Sequence, residues 1–487
     1  MARVVIMGGG VSGHTAATFA KKWLGSKHEV VVVTPNSLWN WIPSNIWVGV
    51  GEMTKEDVTF ALEPVYKKAG IDYRQAKAIS IHPEGSETQS KPFITIEYTG
   101  QNKTGKSEEL SYDYLINATG PKLNFAATPG LGDANGIGEH TVSVCTADHA
   151  VHASHELQKI FEKAKTSRQK VLVGTGHGMC TCQGAAFEYI FNIEHEAKKA
   201  GVRDNLDITW ISNESFLGDF GMGGMHLNVG GYTASSKIFA ESLYSERNLN
   251  WIIGAHVNKV EAGKAHYELL DGTMGVEEFD FAMLIPPFAG VGLKAYDKTG
   301  ADITETLFAP NGFLKVDANY AAGAYENWKA SDWPRTLQNP TYHNIFAVGI
   351  AFAPPHPISK PMSSPNGTPI TPTPPRTGMP SAMMGKAVAH SIVDMINGAS
   401  QPTHTACMSE MGAACVASAG KGFFTGTAAA MTVYPVVPDF EKYPGVGRDI
   451  KMTTGEIGLA GHWIKHFLHF AFLWKAQLKP GWTLIPE

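Results

Sequence analysis

No clean apolar stretch of 18 or more residues occurs in this chain, so a protein that fully spans a bilayer is not expected. A cleavable signal peptide is not expected either. Met1-Ala2-Arg3 leads straight into Val4-Val5-Ile6-Met7, without a separate apolar core and cleavage site. Basic runs are missing. The formal net charge is −5, from 40 basic and 45 acidic residues, which offers nucleic acid no electrostatic footprint. Cysteine is scarce, and five in 487 residues cannot staple a domain of this size. Their spacing suits no ordinary zinc site, because Cys180-Thr181-Cys182 leaves a one-residue gap and no second pair follows; no metal is expected. Charged residues make up 17% and apolar residues 43%, the balance of a folded chain with much buried surface and room for two or three domains.

What is present is glycine in informative places. Val4–Met7 reads as a strand, Gly8-Gly9-Gly10-Val11-Ser12-Gly13 as a tight turn, His14–Trp23 as a helix and Glu29–Thr34 as a second buried strand. This is a dinucleotide-binding βαβ unit in its proper context. Gly8 makes the turn, Gly10 lets the backbone approach a pyrophosphate, and Gly13 permits close helix packing, with the helix N-terminus donating to phosphate. The acidic residue that usually ends the second strand is missing; Thr34 or Asn36 is left to bond the ribose. Tyr114–Pro121, with Ala118-Thr119-Gly120, is similar to the strand end at which two-dinucleotide flavoproteins return to the FAD. Asn344–Ile350 reads as a third FAD segment ending at Gly349, with Ile350 where many flavoproteins have Asp.

A second βα unit begins at Lys170–Val173, turns through Gly174-Thr175-Gly176-His177-Gly178 and continues as a helix over Ala185–Ala200. Cys180 and Cys182 occupy the place where a phosphate would dock, so this reads as a nucleotide domain remodelled around thiols. Cys182 at the helix start is set to hold a stabilised thiolate. Residues 354–380 contain ten prolines, bracketed by segments expected at the flavin, and are expected to form a rigid ordered loop. Near the end, Ile457, Trp463, Ile464, Phe467, Phe470 and Trp474 crowd one segment flanked by lysines, as in a helix lying in a bilayer interface. His462, His466 and His469 recur there at helical spacing and are expected to pack rather than bind metal.

Together these motifs resemble the sulfide:quinone oxidoreductases, membrane-associated flavoproteins of the disulfide-reductase type. The residues that carry the likeness are Pro43-Ser44-Asn45-Ile46-Trp47, Cys145-Thr146-Ala147-Asp148-His149, Cys182-Gln183-Gly184, Cys407-Met408-Ser409-Glu410-Met411-Gly412 and Pro375-Arg376-Thr377-Gly378. The fold class implied is α/β, with two Rossmann-like domains and a C-terminal membrane-associating helical segment. An FAD domain is expected over 1–120 and 335–400, the remodelled domain over 121–334, and a C-terminal domain over 401–487. The resemblance implies oxidation of sulfide to sulfane sulfur or polysulfide through a bridge of Cys182 and Cys407, with two electrons passing via FAD to a membrane quinone.

The resemblance implies that Cys145 either attaches the FAD covalently or helps release sulfur. Glu188 and His149 are candidate proton handlers. FAD contacts are expected from Gly8, Gly10, Gly13, Thr34, Ser44, Asn45, Ala78, Thr119, Gly120, Gly349, Arg376 and Thr377. Phe423, Phe424 and Phe467 are candidate quinone contacts. Arg376 replaces a common Lys, Asp219 stands where some members carry His, and Cys180 and Cys415 are additional thiols. A peripheral membrane protein is expected, with the membrane face, quinone type and association with further copies left open. Competing readings are a type II NADH:quinone oxidoreductase on the same fold, a flavocytochrome-type sulfide dehydrogenase, and a non-catalytic thiol sensor.

Overall fold

A computed structural model describes residues 1–132, 140–321, 323–375, 377–420 and 422–487. Its main sheet is built on five parallel strands in the order Ile345–Ala347, Tyr114–Asn117, Arg3–Met7, Glu29–Thr34 and Asp72–His82. Phe93–Tyr98 and Ser107–Ser111 extend it antiparallel. The Val and Ile runs of the two central strands are buried on both faces, as a covered parallel sheet requires. The helix Val11–Leu24 starts three residues earlier than expected, because Gly10 is its N-cap. It packs against the helix Gly378–Ile396, where a Cβ on Gly385 would sit 2.3 Å from the Ser12 carbonyl oxygen. Glycine there lets the two backbones touch.

The second sheet is wholly parallel, in the order Asn250–Ile252, Leu206–Ile211, Gln169–Thr175 and Phe281–Ile285. From its third strand the chain turns into the helix Gln183–Lys199, called here the thiol helix. One apolar core joins the first sheet, the thiol helix and the C-terminal segment. A smaller core, with Leu131, Leu172, Ile211 and Leu284, fills the far side of the second sheet.

The chain ends in a three-stranded antiparallel sheet, Ala413–Ala419, Thr427–Val433 and Gly455–Gly458, and the C-terminal helix Leu459–Ala476. This sheet escaped the sequence reading. Its first two strands are rich in alanine, which strands ordinarily disfavour, and it forms because small side chains let the thiol helix and the C-terminal helix both pack closely on it. The proline-rich stretch is an ordered loop. Thr371 N donates to Gly178 O at 2.8 Å, Thr373 N to Cys180 O at 3.0 Å, and Thr181 Oγ1 to Pro374 O at 3.2 Å. No helix among the described residues is long and apolar enough to cross a membrane.

Candidate active site

The glycine turn after Arg3–Met7 is shaped for a dinucleotide. Gly8 adopts φ +109°, and a Cβ on it would lie 2.1 Å from Ala118 O; a Cβ on Gly13 would lie 2.1 Å from Gly8 O. Both positions exclude any side chain. At Gly10 and Gly120, by contrast, an added Cβ meets nothing within 4 Å. The helix that Gly10 opens has no side-chain cap and no acidic residue in its first turn, so its N-terminal amides point at open space suited to phosphate. Gly349 closes on the same turn, where a Cβ on it would fall 2.6 Å from Ser12 Oγ. Thr377 occupies the N-cap position of the helix Gly378–Ile396 without a side-chain cap hydrogen bond. These features fit a flavin dinucleotide. Replacing Gly10 by valine is expected to leave the fold intact and fill the open space. The check is flavin absorbance per chain, which should fall severalfold while far-UV circular dichroism is unchanged.

Cys182 is the N-cap of the thiol helix, one position before the first turn, in a left-handed conformation (φ 68°, ψ 31°). A left-handed non-glycine residue costs about 1–3 kcal/mol and persists only where its surroundings impose it. Three further thiols stand close by. Cys180 is fully buried and donates to Ile285 O at 3.0 Å. Burial pushes its thiol up, and the neighbouring Cys145 and Cys182 push it further in the same direction, which puts all three in one neighbourhood. Cys415 Sγ lies 3.0 Å from where a Cβ on Gly184 would be, two residues beyond Cys182, and burial pushes its thiol up to about 11. Burial also raises the Cys145 thiol, with Ser143 opposing.

Cys407 belongs to a segment tied to the first sheet's side of the molecule, where Ala406 N donates to Arg335 O at 2.8 Å. Its buried sulfur hydrogen-bonds Ser409 Oγ at 3.0 Å and lies 3.9 Å from Trp333 O. Burial raises the Cys407 thiol and Ser409 opposes the rise.

The C-terminal helix is inverted relative to a soluble amphipathic helix. Its polar residues point inward. Lys465 Nζ pairs with Glu188 Oε2 at 3.0 Å, both side chains only 8% exposed, and donates to Pro43 O at 3.1 Å. His469 Nδ1 meets Ser44 Oγ at 2.9 Å, His462 bonds Ser418 Oγ and Gly422 O, and His466 lies against Trp47 with ring centroids 4.9 Å apart. Its apolar residues point outward: Trp463, Ile464, Phe470 and Trp474 are exposed. Phe467 is 69% exposed, and beside the helix Phe423 and Phe424 are 56% and 78% exposed.

Residues 2–203 match the profile of the pyridine nucleotide-disulphide oxidoreductase family. A sulfide-quinone reductase of Aquifex aeolicus is 30% identical over 478 residues, covering 97% of this chain and 91% of that one. The chain belongs to the sulfide:quinone oxidoreductase family. The X-ray structure of the sulfide:quinone oxidoreductase from Aquifex aeolicus aligns with a TM-score of 0.76 over 98% of this chain and 92% of that chain. NDH2 from Plasmodium falciparum, at 14% identity and a TM-score of 0.62, shares the fold alone.

Several expected site residues also have partners within the protein. Glu188, a candidate proton handler, has its carboxylate paired with Lys465 and accepting from Ser418 N at 3.3 Å, because its position on the thiol helix faces the C-terminal sheet and helix. Burial raises its acid and Lys465 opposes the rise. The Ser44 and Asn45 side chains are engaged by protein: Ser44 by His469, and Asn45 by a reciprocal amide pair with Asn40 and a 3.3 Å bond to Val144 O. Thr34 is buried beneath Gly9, its Cγ2 3.0 Å from where a Cβ on that glycine would be, so its methyl supports the turn. Thr119 Oγ1 donates to Asn117 Oδ1 at 2.8 Å.

Ala78 sits in the strand Asp72–His82 opposite Ile96, at a register shift. His149 is buried at the start of the helix Ala147–Ala164, edge-on to Phe125. Phe423, Phe424 and Phe467, the candidate quinone contacts, are exposed beside and on the outward face of the C-terminal helix. Arg376 lies outside the described residues.

Sequence reasoning missed Gln183, Asn213 and Glu214. Gln183 Nε2 donates to Asn213 Oδ1 at 2.9 Å, and Asn213 Nδ2 donates to Gly178 O and Cys180 O, which locks the cysteine turn. A single Asn or Gln carries no local signal of such a role. Glu214 is fully buried beside Asp219, accepts from Phe220 N at 2.7 Å, and is pushed up to about 8, first by burial and then by Asp219. Its folded pKa is above its unfolded one. Its stabilising contribution is therefore complete below the ordinary glutamate range and is lost as pH rises to about 8. Glu214→Gln should flatten the fall of the thermal midpoint over that window, and a midpoint–pH curve unchanged from the parent protein would refute it.

Proposed function

We propose that this chain oxidises sulfide to sulfane sulfur through a Cys182–Cys407 bridge and delivers two electrons, by way of FAD, to a membrane quinone. The observation that carries the reading is Cys182 held in a left-handed N-cap on a glycine turn whose phosphate side is already covered. A Cβ on Gly178 would lie 2.2 Å from Pro369 O, Gly178 N donates to His256 Nδ1 at 3.0 Å, and a Cβ on Gly176 would strike Leu131 at 2.7 Å. A nicotinamide dinucleotide has little room there, which favours sulfide over NADH as donor.

Hydrosulfide attacks one bridge sulfur, leaving a persulfide on that cysteine and a thiolate on the other. By family resemblance Cys407 is the thiolate that gives up the electrons. Ser409 Oγ, 3.0 Å from its sulfur, is placed to donate to that thiolate. The N-terminal amides of the thiol helix favour negative charge at Cys182. FAD supplies a two-electron acceptor that a quinone can reoxidise. Re-forming the bridge with a further sulfur lengthens the product. Cys145 is assigned either to covalent FAD attachment or to sulfur release; flavin found wholly in the supernatant after denaturation excludes attachment. The proposed domain limits are 1–120 with 335–400, 121–334, and 401–487.

The outward face of the C-terminal helix supports peripheral membrane binding, with Trp463 and Trp474 at headgroup level. Phe467→Glu should reduce co-sedimentation with lipid vesicles about tenfold or more without changing thermal stability, since burying a phenylalanine contributes roughly 2–3 kcal/mol. Anaerobic flavin spectra test the whole reading. Sulfide should bleach the flavin and a quinone should restore it. Bleaching by NADH with none by sulfide would reverse the donor assignment.

A further inference from the structure

The helix Gly378–Ile396 starts beside the flavin cradle and ends in the connection that leads to Cys407. On its outer face His390 and Asp394 stand four residues apart, the spacing that sets two side chains one above the other. The chain then folds back so that His404 joins them. One ligand atom from each of the three lies within 4.8 Å of the others, and this is the one such group of three among the described residues. We infer that His390, Asp394 and His404 bind a divalent transition-metal ion that clamps the connection entering the Cys407 segment onto this helix.

Three observations carry the inference beyond mere proximity. His404 Nε2 is 3.3 Å from Asp394 Oδ2. Two ligand atoms bound to one tetrahedral zinc at about 2.0–2.1 Å are about 3.3 Å apart, so this pair already has the spacing of shared coordination. Asp394 is also supported from outside. Thr403 Oγ1 donates to Asp394 Oδ2 at 2.6 Å. Such outer contacts orient ligands around metals. Finally, the backbone of His404 is tied at both ends of its peptide: its N–H donates to Ser391 Oγ at 3.0 Å, and Ser391 Oγ donates to its carbonyl at 3.2 Å. The third ligand is therefore held in place by a residue between the other two.

The two imidazoles lie stacked, centroids 3.8 Å apart and 10° from parallel. One must turn about its Cβ–Cγ bond to aim at a common ion, a motion open to half-buried rings. Two imidazoles and one carboxylate suit zinc, cobalt or nickel and not calcium or magnesium. Water would complete the shell. His404 is three residues before Cys407, so the ion fixes the approach to that thiol without touching it. The cysteine spacing that spoke against a zinc site has no bearing here, since no thiol takes part.

The test is a titration of the flavin-loaded enzyme with cobalt(II) alone. One ion per chain should bind with visible d–d bands and without the sulfur-to-cobalt charge transfer that the thiols would produce. His390→Ala and His404→Ala should each weaken binding by about tenfold or more. Amide exchange across 398–404 should slow in the parent protein on adding the metal, and not in the variants. Unchanged affinity in both histidine variants, or binding that shows only thiolate charge transfer, would overturn the inference. Far-UV circular dichroism and flavin content verify that the variants are folded.

Discussion

Cys182→Ser and Cys407→Ser are each expected to lower sulfide-dependent quinone reduction by roughly a thousandfold or more, about 4 kcal/mol of transition-state stabilisation. Serine matches the shape of cysteine but cannot form a bridge or hold a persulfide. Each replacement therefore removes the electrophile that hydrosulfide attacks. Neither should disturb the proposed flavin cradle of the Gly8–Gly13 turn, Gly120 and Gly349, glycines distant in sequence from both thiols. Flavin absorbance per chain should match the parent protein, and dithionite should still bleach it. The two losses should not add, because the thiols act as one unit. Cys180→Ser is the control: its buried sulfur is a hydrogen-bond donor to Ile285 O, a role a hydroxyl can keep, so activity should remain within about tenfold of the parent. Full turnover in either bridge variant would end the proposed sulfur relay.

Lys465→Met is the second large effect. It leaves the Glu188 carboxylate buried without its cation, and breaking such a pair costs about 3–5 kcal/mol. The loss should appear first as detachment of the C-terminal helix, since Lys465 also holds Pro43 O and lies between His462 and His469 on the inward face. Hydrogen exchange across Leu459–Ala476 should accelerate before global unfolding, and vesicle binding should weaken because the outward apolar face loses its fixed orientation. Adding Glu188→Gln should restore much of the stability, since a neutral amide no longer needs a cation. Failure of the double variant to recover would show that Lys465 works mainly through Pro43 or through packing on Trp47, whose ring it overlies at 5.8 Å.

Sulfide oxidation, the flavin fold and the cysteine motifs were legible because each has a local cause. Gly8 and Gly13 stand where no Cβ fits and Gly10 where the space is open, and these needs recur at fixed spacing wherever a strand turns into a dinucleotide-binding helix. The proline-rich loop was also legible, since bracketing by two flavin-facing segments left it no freedom to be a linker. The partner of Glu188 was not legible, because its helical position was known but the surface it meets was not. Lys465 lies 277 residues away. The alanine-rich C-terminal strands were invisible for a similar reason: nothing in their composition favours a strand, and only close packing by two helices selects one.

Sequence alone thus determined the family, the two glycine turns, the thiol at the helix start and the apolar character of the final helix, all set by chemistry within a few neighbouring residues. Tertiary structure decided which way that helix faces, that Cys180 and Cys415 crowd the start of the thiol helix, and that His404 returns to His390 and Asp394. Those facts depend on segments far apart in the chain being brought together by shared burial, and spacing along a sequence carries no information about which distant surfaces will meet.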